Sequence, residues 1–73
     1  MNQQEAIAHF DANACRNIIV AHRTSGIEYI VHRDVVDAAD AEYVYGDRAT
    51  PHPRRKNDYR WFYLKSVDFV GAK

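Results

Sequence analysis

A chain of 73 residues, 47% of them hydrophobic, makes one small domain with a thin stability margin, because at this length folding buries only about 60% of the unfolded surface. Ten Lys and Arg balance ten Asp and Glu, so bulk attraction to nucleic acid or to an anionic membrane cannot be assumed. No apolar run approaches the roughly 18 residues of a membrane helix, and the amino terminus lacks the basic and apolar regions of a secretory signal. The lone Cys15 makes no internal disulfide, which fits a reducing compartment. The expectation is a cytoplasmic single domain, 1–73, held by a compact core, a partner or both.

Asn2 is placed to cap a helix, and Glu5 three residues later completes a capping-box spacing. Ile7, Phe10 and Ala14 recur on one face, which predicts a helix over 2–16. Two β-branched runs follow, Ile18-Ile19-Val20-Ala21 and Ile27-Glu28-Tyr29-Ile30-Val31, separated by Thr24-Ser25-Gly26. They read as a hairpin in which Gly26 supplies a positive φ. A two-residue turn sets Arg23 opposite Glu28, and a three-residue turn sets it opposite Ile27. The stretch 34–42 reads as a strand end and turn, although its alanines also suit a short helix. Tyr43-Val44-Tyr45 then forms a strand that Gly46 ends, and 46–57 is a loop carrying Pro51 and Pro53. Residues 59–70 give one long or bent strand.

This order predicts an α+β fold: an N-terminal helix, then 17–70 as a four- or five-stranded antiparallel sheet curled into a small SH3-like barrel. Curling removes the exposed edges that a flat sheet leaves. In the last segment Phe62 and Leu64 share a face with Arg60, while Tyr59, Trp61 and Tyr63 share the other. One of those faces must point inward, and the pattern leaves open which.

The element order, with Arg60-Trp61-Phe62-Tyr63-Leu64 near its end, resembles the WYL domain, a small SH3-like barrel of bacterial regulators. That run is similar to the R-x-F-x-L part of the family's closing strand. Lys65, Ser66 and Val67 stand where an acid, an arginine and an isoleucine usually follow. Glu42-Tyr43-Val44-Tyr45-Gly46 falls at the name-giving motif and lacks its Trp. The resemblance implies a ligand-sensing or nucleic-acid-binding module with Arg60 on its binding face.

Charge is segregated beneath the neutral total. Between 34 and 47 stand Asp34, Asp37, Asp40, Glu42 and Asp47 with no base, and between 48 and 60 stand Arg48, Arg54, Arg55, Lys56 and Arg60 against Asp58. Cations followed by rings are what single-stranded nucleic acid requires, for phosphate contact and base stacking. The first expectation is therefore a regulatory module that binds nucleic acid or a nucleotide-like ligand through Arg54, Arg55, Lys56, Arg60 and Trp61. The alternative is a protein-binding inhibitor or adaptor, of the kind phages encode against CRISPR and other defences. It would act through the acidic face of Asp34, Asp37, Asp40, Glu42 and Asp47 or through the sheet edge. The thin core leaves a homodimer open as well.

His9, His22, His32 and His52 lack the close, repeated spacing of a zinc site, so neither metal nor cofactor is expected. Cys15 and His9 do not share a helical face, and neither Ser25 nor Ser66 sits in a nucleophile motif. The chain reads as a non-enzyme.

Overall fold

Asn2 does cap the first helix: its side chain accepts from the Glu5 amide at 2.8 Å, and the Asn2 amide donates to the Glu5 carboxylate at 3.3 Å. These two bonds satisfy helix-end donors that otherwise lack partners. In the computed structural model, which describes residues 1–50, 54 and 58–73, this helix, α1, spans Gln3–Asn13. Ala14 ends it in the left-handed conformation, at φ 47°. Ala6 and Phe10 are its fully buried residues.

Strands β1 (Asn17–His22) and β2 (Glu28–His32) form the expected hairpin, and Gly26 has the expected positive φ. Neither anticipated register occurs. Ala21 stands opposite Glu28, so the loop has four residues, closed by the Gly26 amide donating to the His22 carbonyl at 2.8 Å. The reason lies in the core and at Arg23. Burial of Ile18 opposite Val31 and of Val20 opposite Tyr29 excludes the three-residue register, which would turn one set outward. Arg23 is drawn away from Glu28 to the last strand, where its guanidinium grips Asp68 at 2.9 and 3.0 Å.

Between β2 and the third strand, the preferred strand-end reading of 34–42 gives way to a short helix, α2 (Arg33–Asp37). Val36 is its buried anchor, and Arg33 joins α2 to α1 through Asp11 at 2.6 Å. Consecutive left-handed residues, Ala41 and Glu42, then reverse the chain. Strand β3 (Tyr43–Arg48) runs through Gly46 instead of ending there. A Cβ at Gly46 would lie 3.0 Å from the Tyr29 Cβ, 3.1 Å from the Ile30 carbonyl and 3.2 Å from the Phe62 ring. Gly46 is thus a close-packing position inside a strand.

The single terminal strand expected over 59–70 is two strands, β4 (Tyr59–Tyr63) and β5 (Val67–Ala72), joined by a 3-10 turn at Leu64–Ser66. The sheet order is β4-β3-β2-β1-β5, so these sequence neighbours occupy opposite edges. Four strand spacings in a flat sheet amount to about 19 Å, while the link from Tyr63 to Val67 reaches about 14 Å at most. The sheet is therefore strongly curled. Among the described residues no pairing joins β4 to β5, so it is an open sheet, and the expected closure into a barrel is not seen.

One side of the sheet carries the core. Ile18, Val20, Tyr29, Val31, Val44, Phe62, Leu64 and Val67 pack there against Ala6, Phe10 and Val36 of the two helices. Among the described residues, no buried residue is polar or charged.

Candidate binding face

Alternation along a strand sends every second side chain away from the core. In β3 and β4 those outward positions are aromatic. Val44 and Phe62 face inward as direct partners, so Tyr43 and Tyr45 on one strand, and Tyr59, Trp61 and Tyr63 on the other, face outward. Tyr43 stands opposite Tyr63 and Tyr45 opposite Trp61. Trp61 keeps 48% of its surface exposed, against 4% for its neighbour Phe62.

The rings touch one another. Tyr43 and Trp61 stack with centroids 5.3 Å apart and planes 25° apart, Tyr45 tilts against Trp61 at 5.1 Å, and Tyr43 meets Tyr63 at 4.7 Å. Offset contacts of this kind contribute about 0.5–1.5 kcal/mol each and fix the rings without burying them. The patch continues onto the neighbouring strand, where Ile30 stands opposite Asp47.

Beside the rings lies an open groove of about 720 Å³, walled on one side by Tyr43, Tyr45, Trp61 and Tyr63 and on the other by α2 and the turn after it. Asp34 and Asp40 also line it, and among the described residues none that lines it is cationic. Lys65 holds its ammonium 5.6 Å from the Tyr63 centroid.

Of the basic residues expected to work with Trp61, Arg60 lies away from its ring. Arg60 pairs with Gly46 and shares the side of Phe62, so the strand separates it from the Trp61 ring. Arg54 is exposed in a turn, and Arg55 and Lys56 lie outside the described residues. The acidic set is not one face either. Asp34 pairs with Arg16 at 2.8 Å, Asp37 with Arg33 at 3.7 Å, and Glu42 accepts the Gln3 amide at 2.9 Å. Asp47 stands on the outer face opposite Tyr59. Asp34 and Asp40 are the two that meet in the groove.

Tyr43 and Tyr45 were the residues that sequence reasoning missed. The signal for them is that β3 alternates aromatics with the same period as β4, and a register pairing Val44 with Phe62 stacks both outward sets together. At the far edge of the outer face, the Arg23 hydrogen bond, followed by its charge, holds the Asp68 carboxyl below the usual carboxylate range. The Arg33 guanidinium is raised chiefly by its hydrogen bond to Asp11. Among the described histidines, His9 stacks on Phe69 at 3.8 Å, while His22 and His32 sit at opposite ends of the hairpin; His52 lies outside the described residues. No helix among the described residues is long and apolar enough to cross a membrane.

Comparison with protein-family models, with curated proteins and with solved structures finds no match for this chain.

Proposed function

We propose that this chain is a protein-binding module, an adaptor or inhibitor, that docks its partner on the outer aromatic face of β3 and β4. The observation that carries this reading is the five-ring patch bordered by Asp34, Asp40 and Asp47. Tyr and Trp supply large, rigid contact area and dominate protein interfaces, where a few of them deliver most of the binding energy. A carboxylate border favours a cationic partner surface and repels phosphate. The surface differs from the one anticipated from the acidic stretch alone, because the rings form its centre and the acids only part of its rim.

Nucleic-acid binding is the second reading, and the near-parallel Tyr43–Trp61 pair supports it as a base-stacking platform. Cations would then come from the 54–56 stretch that leads into β4. An SH3-like curled framework of the WYL type is consistent with the strand order and with the three-residue corner between β4 and β5. In that framework Arg60 would be the binding residue, and it stands on the other side of β4 from the rings.

Photo-crosslinking in the cells that make the protein separates the two. Trp61→p-benzoylphenylalanine is expected to give a discrete adduct that protease degrades and nuclease leaves intact, whereas Arg60→p-benzoylphenylalanine gives none. A nuclease-sensitive adduct from position 61, or no adduct there, overturns the protein-binding reading.

A further inference from the structure

The groove beside the rings has a chemistry of its own. We infer that it is an arginine-recognition site, which seats one arginine side chain of the partner between the Tyr43 and Trp61 rings and the carboxylates of Asp34 and Asp40. This rests on the protein-binding reading and names the group that anchors it.

Several features converge on a cation. Tyr43, Trp61 and Tyr63 line the groove, and cations are drawn to the faces of aromatic rings. Lys65 already illustrates the attraction within the chain, resting over Tyr63. Two aspartates line the groove, and among the described residues no cation lines it with them. Asp40 has no side-chain hydrogen bond or ion pair among the described residues. Among the described residues Asp34 is paired with Arg16, through side chains that are 79% and 72% exposed, and an exposed pair of that kind is readily exchanged.

Arginine suits the groove better than lysine. Its planar guanidinium stacks on an aromatic ring while its edge donates two parallel hydrogen bonds to a carboxylate. The groove brings both residue types together, aromatic residues from β3 and β4 with Asp34 and Asp40 from α2 and the turn after it. Its volume of about 720 Å³ is in the range of ligand clefts, so it takes the anchor together with flanking residues of a peptide segment. The wall that bears Asp34 and Asp40 is set by α2 and by the left-handed pair Ala41 and Glu42, which bring the chain back alongside β3.

The test is a pair of NMR titrations of the full chain at matched ionic strength. The probes are the capped tripeptide alanyl-arginyl-alanine and its citrulline counterpart, which keeps the shape and loses the charge. The arginine peptide is expected to shift the Trp61 indole and Tyr43 ring signals and to bind about tenfold more tightly than the citrulline peptide, a difference that the double variant Asp34→Asn/Asp40→Asn removes. Both aspartates are exposed, so the variant's spectrum reports binding and not a lost fold. Equal binding of the two peptides at the rings overturns the arginine anchor and leaves the protein-binding reading standing. No shift with either peptide also overturns the anchor. The protein-binding reading fails separately, by the crosslinking result from position 61.

Discussion

Arg60 and Trp61 are consecutive in β4, yet they project to opposite sides of the sheet, Arg60 with Phe62 and Trp61 with Tyr59 and Tyr63. A basic residue and a ring adjacent in sequence therefore do not form one site. The rings find their company across the strand pair, in Tyr43 and Tyr45, and their charged neighbours are Asp34 and Asp40 in the groove and Lys65 over Tyr63.

That arrangement separates residues that fold the chain from residues left free to bind. Phe62→Ala empties a buried core position and is expected to cost about 3–5 kcal/mol, a large share of what a domain this small possesses. Trp61→Ala removes a half-exposed ring and is expected to cost about 1–2 kcal/mol. Urea denaturation of both variants checks the contrast. A Trp61→Ala loss equal to that of Phe62→Ala would show that the patch is structural.

Gly46 offers a test of the sheet register. Its missing side chain makes room for Tyr29 and Phe62, with the nearest atoms at 3.0–3.2 Å from where a Cβ would stand. Gly46→Ala is expected to destabilise the fold by about 1–3 kcal/mol, as overpacking does. A thermal melt reads the effect, and an unchanged midpoint would mean that β2, β3 and β4 are not packed as described.

Ala14 ends α1 with φ at 47°, a conformation glycine adopts without a steric penalty. Ala14→Gly is expected to stabilise the domain by about 0.5–1 kcal/mol after the added freedom of the unfolded chain is counted. A fall in melting temperature would contradict the left-handed cap.

The Arg23–Asp68 pair makes stability depend on pH. Asp68 titrates below its unfolded value, chiefly through the Arg23 hydrogen bond, so its contribution is present above the ordinary aspartate range. It is lost as pH falls through the lowered folded value. Chemical denaturation at neutral and acidic pH is expected to show a smaller acid-induced loss in Asp68→Asn than in the parent. Equal losses would mean that the pair does not persist in solution.

Local signals in the sequence carried much of the fold. The Asn2–Glu5 capping box, the hairpin with its positive-φ Gly26, and the partition of 59–64 into two faces are short-range patterns, and each is present. Features set by distant contacts were not legible. The hairpin register depends on Asp68 pulling Arg23 toward β5, and Gly46 is explained by Tyr29 and Phe62. The split of the last segment into opposite edges follows from curling of the whole sheet. The binding face was half legible for the same reason: Trp61 stood out, but its partners became visible only once β3 and β4 were paired.

The central claim is that Trp61 and its neighbours meet a cationic partner and not a phosphate backbone. Fluorescence of this single tryptophan, titrated at about 50 and 200 mM salt with an arginine-rich oligopeptide and then with oligothymidylate, tests it most directly. The account predicts a change in emission with the peptide, and none with oligothymidylate at either salt concentration. Quenching by oligothymidylate that weakens steeply as salt rises, with no response to the peptide, would contradict it and make the aromatic face a nucleic-acid platform.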